Sequence, residues 1–145
     1  MAVDVQPRTS QTTTRPGVVQ ALRIVSPLIV IVILIQAVFA GRGLFLDTDN
    51  LSVHGGIGML TLLLAVVQAV LVPLTGIRGG LRTGLIAASV VLVGLVVVQL
   101  GLGEAGKDGG QAAALHVPNG VLIFGIASGI AAKATGLRPG GSTQS

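Results

Sequence analysis

The two histidines are the residues of this chain best suited to bind a metal or to exchange a proton at neutral pH. His54 and His116 occur in the same short pattern, His-x-x-x-Gly-x-Leu, and each opens a long apolar segment. The glycines of the pattern, Gly58 and Gly120, follow their histidines by four residues, which on a helix is the same face one turn further along. The repeated spacing predicts that both histidines serve one site.

Four uncharged segments hold these motifs, namely residues 24–41, 50–77, 83–103 and 109–132. Hydrophobic residues make up 51% of the chain and charged residues only 10%, which is too apolar for an ordinary soluble domain. A helix needs about 20 residues to cross roughly 30 Å of hydrocarbon, and each segment approaches or exceeds that length. We therefore predict an all-α fold, an integral membrane four-helix up-down bundle.

The predicted helices span about residues 22–40, 53–74, 82–102 and 112–132. They form one transmembrane domain, residues 22–134. Residues 1–21 are rich in Thr, Gln, Ser and Pro, and residues 135–145 are rich in Gly and Ser, so both are predicted to be disordered cytoplasmic tails. The first apolar segment ends in a small-x-small pattern at residues 38–40, so cleavage as a signal peptide is the alternative to a retained first helix.

The histidine motif belongs to a longer repeat. When residues 24–78 are aligned with residues 83–133, Gln36 matches Gln99, 63 residues later, and the two histidines match at a spacing of 62. The chain thus reads as two tandem helix hairpins, and because two helices separate the copies, both have the same orientation in the membrane. We expect the histidines to face each other at one depth, with the two glutamines close by.

The distribution of Lys and Arg predicts the orientation. With the N-terminus in the cytoplasm, seven basic residues lie on the inner side, and only Arg42 and Lys107 lie on the outer side. The seven are Arg8, Arg15, Arg23, Arg78, Arg82, Lys133 and Arg138. We predict a multi-pass plasma-membrane protein with both termini in the cytoplasm. The basic residues are scattered singly, so the expected partner is the lipid bilayer and not nucleic acid.

Two neutral imidazoles from different helices can bind one iron from opposite faces, as in a low-spin b-type haem. The chain has no cysteine, which excludes covalent c-type attachment, iron–sulfur clusters and thiolate metal sites. We therefore expect one b-type haem between His54 and His116, used for electron transfer with a membrane redox partner or for haem handling.

Further cofactor contacts are predicted at Gly58, Gly120, Gln36, Gln99 and Arg42. The glycines leave room for a macrocycle on the histidine face. The glutamines can hydrogen-bond a histidine nitrogen or a propionate, and Arg42, together with Lys107, can pair with propionates.

Other interpretations stay open. The glycines can instead permit close helix packing while the histidines and glutamines bond across the bundle, as in a cofactor-free accessory subunit of a larger membrane complex. A divalent metal site is another interpretation, in which some of Asp47, Asp49, Glu104 and Asp108 join the two histidines as ligands. No nucleophile–base pair, phosphate loop or zinc-protease motif is present, so no catalytic residue is predicted. A small transporter is disfavoured, because no Asp, Glu or Arg lies inside an apolar segment.

Three stretches, residues 36–41, the His54 to Gly58 motif and residues 115–125, resemble a family of small bacterial four-helix membrane proteins of unknown function. The resemblance covers roughly residues 22–134. Histidines on the second and fourth helices are also similar in placement to one four-helix half of haem A synthase. That family's acidic residue shortly before an outer histidine has no clear equivalent here, so the resemblance implies the architecture and not the synthase reaction.

Overall fold

The computed structural model describes residues 14–139, and this part of the chain is all-helical. The helices are α1 (Pro16–Phe45), α2 (Asp49–Leu74), α3 (Gly79–Ala105) and α4 (Gly110–Thr135). Each is long and apolar enough to cross a membrane, with 26 to 30 residues. The predicted fold class, a four-helix membrane bundle, is therefore confirmed, and the chain is a multi-pass membrane protein.

The four helices pack as the sides of a square. α1 and α3 each contact α2 and α4, so α1 lies diagonally opposite α3 and α2 opposite α4. The links are short, residues 46–48, 75–78 and 106–109, which makes consecutive helices antiparallel. We call the end with links 46–48 and 106–109 the histidine end. The opposite end, where α1 begins and α4 finishes, is the terminal end.

Buried residues follow the tandem repeat. On α1 and α3, at a spacing of 63 residues, the buried pairs are Leu22 with Leu85, Ser26 with Ser89, and Ile29 with Leu92. On α2 and α4, at a spacing of 62, they are Ala65 with Ala127, Gln68 with Ile130, and Val72 with Ala134. The two hairpins therefore bury the same positions toward a shared axis.

Large apolar side chains lie on the outside of the bundle, among them Leu34, Leu63, Val90 and Leu122, each more than half exposed. Besides its leucines and isoleucines, the interior includes small residues such as Ala65 and polar residues such as Ser26. This distribution is typical of membrane bundles, in which lipid accepts the large side chains and small residues let helices approach closely.

The first helix begins earlier than predicted, so the prediction of disorder across residues 16–21 was wrong. Pro16 occupies the first turn, where its missing N–H has no partner to lose. Val19 and Leu22, three residues apart, are fully buried, and the Arg15 N–H donates to the Thr75 carbonyl at 2.9 Å. Burial of this one face offsets the cost of ordering the polar residues beside it. Residues 1–13 of the predicted tail lie outside the described residues.

The other helix ends also extend past their predicted limits. At the C-terminal end, the predicted tail begins with ordered residues, because Thr135 completes α4 and Leu137 packs against the core. Residues 140–145 lie outside the described part.

At the histidine end, α1 continues to Phe45, and Gly43 lets it approach the next helix. A Cβ on Gly43 would lie 2.5 Å from Leu51 Cδ2.

Candidate functional site

The two histidines meet inside the histidine end of the bundle. His54 lies in the second turn of α2 and His116 in the second turn of α4, on diagonally opposite helices. Their ring centroids are 5.9 Å apart, and the ring planes are inclined at 59°. Both side chains are half-buried. The structure thus brings together two side chains that are 62 residues apart in the sequence.

A hydrogen bond to the backbone fixes the His54 ring. Its Nδ1 lies 2.9 Å from the carbonyl oxygen of Gln36. A carbonyl can only accept, so Nδ1 holds the proton and donates it, and Nε2 keeps its lone pair. Metal-binding histidines commonly have this arrangement, because the second-shell bond orients the ring and makes the ligating nitrogen more basic.

The His116 ring is held by packing. Its Nδ1 is buried and has no hydrogen-bond partner among the described residues. The ring lies against Gly103 of α3, where an added Cβ would sit 3.1 Å from Cε1 and 3.5 Å from Nδ1. Any side chain at position 103 would therefore push the imidazole away. The backbone of Gln99, the repeat counterpart of Gln36, also interacts with the His116 imidazole, but His116 Nδ1 forms no hydrogen bond as short and well aligned as that of His54.

Gln36 and Gln99 link the helices beneath the histidines. Gln36 Oε1 accepts a bond from the Thr61 hydroxyl at 3.2 Å. The Gln99 amide donates to the backbone carbonyl of His116 at 3.0 Å, and its Oε1 accepts from Asn119 Nδ2 at 2.6 Å. The second Asn119 amide hydrogen reaches the Leu95 carbonyl at 3.0 Å. Both glutamines thus form interhelical hydrogen bonds, one of the two roles that the sequence suggests for them.

A cavity of about 510 Å³ opens beside the two imidazoles. Residues of all four helices line it, including Gln36, both histidines, Gln99 and Gly103. Small-molecule sites in proteins typically enclose about 300–1,000 Å³, with mostly apolar walls and a few polar groups that converge. The chain therefore has room for an organic cofactor next to its histidine pair.

Gly58 and Gly120 are placed differently. Gly58 lines the large cavity, and a Cβ there would lie 3.1 Å from Leu100 Cδ2. Gly120 lines only a smaller cavity of about 40 Å³ beneath, where a Cβ would lie 3.3 Å from Gln99 Nε2. The Gly120 position is thus explained by contact with a glutamine, and only Gly58 adjoins the space beside the imidazoles.

Of the two basic residues that the described chain has at the histidine end, Lys107 lines the large cavity, while Arg42 is exposed and is not part of its lining. Lys107 Nζ forms an exposed ion pair with Glu104 at 2.7 Å. Asp47 accepts the backbone N–H of Asp49 at 3.0 Å. Within residues 14–139 no three His, Asp or Glu side chains form a group that could hold a metal ion, so the carboxylates predicted as further ligands do not join the histidine pair.

Sequence reasoning missed Gly103, Asn119 and Thr61 as parts of this site. Gly103 was assigned to the loop before α4, but α3 continues to Ala105 and includes it. Asn119 was visible within the second histidine motif, three residues after His116, and a polar residue at that helical spacing is the signal that could have placed it on the histidine face.

Comparison with protein families, with curated proteins and with solved structures gives no match to this chain. The fold and the site geometry are therefore the basis for any functional inference.

Proposed function

We propose that this protein binds one b-type haem at the histidine end of the bundle, where His54 and His116 would hold its iron, for electron transfer or haem handling. The main support is the 5.9 Å separation of the two ring centroids. Imidazoles bound on opposite sides of one metal atom, at about 2.0 Å each, have ring centres about 6 Å apart. The separation of the two rings therefore suits a shared iron.

Two further observations support the proposal. The Nδ1 atoms of both rings are turned into the protein, one bonded to the Gln36 carbonyl and one packed beside Gly103, which leaves Nε2 as the available ligand atom. The adjoining cavity of about 510 Å³ can take a macrocycle. Lys107 at its edge can pair with a propionate by giving up its exposed ion pair with Glu104.

The protein residues would set the properties of the site. A bound haem would supply one-electron chemistry. His54, through its bond to the Gln36 carbonyl, would be the better oriented ligand. The apolar part of the cavity wall would limit access of water to the bound group.

The proposal is tested by the absorption spectrum of protein purified from haem-replete cells. We expect a Soret band and, after reduction, sharp α and β bands, which His54→Ala or His116→Ala should abolish. Leu122→Ala, a lipid-facing truncation on α4, is the matched control and should leave the spectrum unchanged. Helical content, measured by circular dichroism, shows that each variant is folded. A folded, colourless protein that also fails to bind added haemin would contradict the proposal.

We also propose that the protein lies in the plasma membrane with both termini in the cytoplasm, so that the histidine end faces outward. The excess of Lys and Arg at the terminal end supports this orientation. The chain has no cysteine, so single cysteines can report the side directly. In intact cells a membrane-impermeant maleimide should label Asp47→Cys and not Arg78→Cys. The reverse pattern would contradict the orientation.

A cofactor-free accessory subunit is the second candidate. It is favoured by the interhelical hydrogen bonds of Gln36 and Gln99 and by the close approach of Gly120 to Gln99, which are packing features. It predicts a colourless protein, tolerance of both histidine substitutions and co-purification with a larger membrane complex. The spectrum therefore separates the two candidates.

A further inference from the structure

The large cavity at the histidine end separates the two hairpins. Within each hairpin the helices are in close contact at this end. A Cβ added to Gly43 of α1 would meet the Leu51 side chain of α2, and a Cβ added to Gly106, just after α3, would lie 2.8 Å from the backbone nitrogen of Ala113 on α4. Residues of all four helices line the cavity of about 510 Å³. Because both hairpins are closed, this space lies between them, with one side between α2 and α3 and the other between α1 and α4.

The cavity reaches the surface between α2 and α3, on a side that we call the α2–α3 opening. Five residues of this side both line the cavity and are exposed, namely Leu51, Gly55 and Met59 of α2, and Glu104 and Lys107 at the end of α3. The contact of Gly58 with Leu100 fixes the register of the two helices. From this contact toward the histidine end, Gly55 is three residues along α2 and Glu104 four residues along α3, or about 5–6 Å. The two residues therefore lie at nearly the same depth on opposite walls.

The α2–α3 opening is apolar at its inner end and charged at its outer end. Met59 and Leu100 form the inner part, and Met59 is 58% exposed. Further out, the Lys107 ammonium pairs with the Glu104 carboxylate at 2.7 Å. These two side chains are 65% and 74% exposed, so solvent screens the ion pair and makes it weak. An opening of this kind is complementary to an amphipathic ligand with an anionic group at one edge.

The other side of the cavity, between α1 and α4, differs at the positions that repeat this opening. Val117 is equivalent to Gly55, 62 residues later, and Leu44 is equivalent to Lys107, 63 residues earlier. Both apolar side chains line the cavity. A branched side chain thus stands in place of a glycine, and a leucine stands in place of the cation. Within residues 14–139 no Lys or Arg of α1 or α4 lines the cavity, so a cation is offered to a ligand at the α2–α3 opening.

We propose that the carboxylate-bearing edge of the bound group lies in the α2–α3 opening, where Gly55 leaves space for it and Lys107 is its cation. The inference rests on the proposed function, since the bound group is the haem and its propionates are the carboxylates. A Cβ on Gly55 would meet nothing within 4 Å, so the space beside this residue belongs to the cavity and not to a neighbouring side chain. A propionate would replace the Glu104 carboxylate as the partner of Lys107.

The charge of the opening is tested by absorption titration of haem-free protein with haemin and with haemin dimethyl ester, which has no free carboxylate. Lys107→Gln should weaken haemin binding about two- to fivefold, the range of an exposed ion pair. Glu104→Gln should strengthen haemin binding to a similar extent, because it frees the ammonium. Neither substitution should change the affinity for the ester. Arg42→Gln, at a cation of the same end that does not line the cavity, is the matched control and should leave both affinities unchanged.

The space in the opening is tested at Gly55. We expect Gly55→Leu to weaken the binding of both haemin and the ester at least tenfold, because the new side chain would occupy the cavity. Gly56→Leu is the matched control, since Gly56 is an exposed neighbour of the same helix, its Cβ would also meet nothing within 4 Å, and it does not line the cavity. Helical content, measured by circular dichroism, should be the same in both variants.

Three results would overturn the proposal. In the first, haemin and its ester respond alike to Lys107→Gln and Glu104→Gln, which means that no carboxylate lies beside Lys107. In the second, Gly55→Leu binds both probes as tightly as Gly56→Leu does, which means that the bound group does not extend over Gly55. Either result would leave the proposed function intact. In the third, the unmodified protein binds neither probe, which contradicts the proposed function itself and this inference with it.

Discussion

His54 donates a hydrogen bond from Nδ1 to the backbone carbonyl of Gln36, 2.9 Å away on the neighbouring helix. Its repeat partner His116 has no bond at Nδ1 within the described residues and instead packs against Gly103. One imidazole is therefore oriented by a short hydrogen bond to the backbone, and the other by contact with Gly103 and a weaker interaction with the Gln99 backbone. This asymmetry within a duplicated fold leads to the first two predictions.

Loss of His54 should weaken haem binding more than loss of His116. Second-shell hydrogen bonds to metal ligands typically change affinity by 10–100-fold. Within residues 14–139 the bond at His54 Nδ1 is short, whereas the interaction of His116 with the Gln99 backbone is weaker. We expect His54→Ala to bind haemin at least about 10-fold more weakly than His116→Ala in an absorption titration. Equal affinities, or weaker binding by the His116 variant, would show that the Gln36 contact does not strengthen the site.

Gly103→Ala should displace the His116 ring and destabilise the bundle. The added methyl group would lie 3.1 Å from Cε1 of the imidazole, closer than an ordinary van der Waals contact. We expect a loss of about 1–3 kcal/mol in the free energy of unfolding, the usual cost of overpacking, measured by denaturation in mixed micelles. Gly101→Ala is the control, since its methyl group would meet nothing within 4 Å, and alanine favours the helix. An equally small effect of both substitutions would refute the close contact.

Gly43→Ala should disturb the junction between α1 and α2. A Cβ there would lie 2.5 Å and 2.7 Å from two carbons of the Leu51 side chain. We expect a loss of about 1–3 kcal/mol in unfolding free energy, whereas Gly41→Ala, with nothing within 4 Å, should not destabilise.

Leu51→Ala provides the second half of this experiment. When it is combined with Gly43→Ala, the clash with the leucine side chain is removed, so the double variant should be more stable than the sum of the single effects predicts. Additive effects would mean that Gly43 and Leu51 are not in contact.

Gln99→Leu should remove two interhelical hydrogen bonds, to the His116 carbonyl and from Asn119. Interhelical hydrogen bonds in membranes are worth about 0.6 kcal/mol on average and up to about 1.7 each, so we expect a loss of roughly 1–2 kcal/mol. Gln111→Leu, at an exposed glutamine, is the control and should change the unfolding free energy little. A double-mutant cycle with Asn119→Leu should show coupling, and independent effects would contradict the bond between the two amides.

The number and type of the helices could be predicted from the sequence, because long uncharged segments have few ways to satisfy their backbone in lipid. The helix limits were less accurate. Val19 and Leu22 are buried at helical spacing among polar neighbours, which obscures them in an average of hydropathy. α1 extends beyond the apolar segment and ends at Phe45. The close contact of this extension with α2 depends on Gly43, two residues before Phe45.

The candidate site was also predicted in part. The repeated motif indicated that His54 and His116 belong together, and the structure places their rings 5.9 Å apart. Arg42, predicted to share the site as a basic residue of the same end of the bundle, is exposed and is not part of the cavity lining, because that position does not determine which way a side chain faces. Gly103 and Asn119 were missed, since their roles depend on contacts between α3 and α4.

The sequence by itself determined that this is a four-helix membrane protein with two repeated hairpins and a histidine in each. Those features follow from hydropathy, segment length and residue spacing, which are properties of the chain read along one dimension. Only the tertiary structure decided that Gln36 orients one histidine and that Gly103 packs against the other. These relationships depend on the rotation and register of packed helices, which arise from contacts between side chains far apart in the sequence.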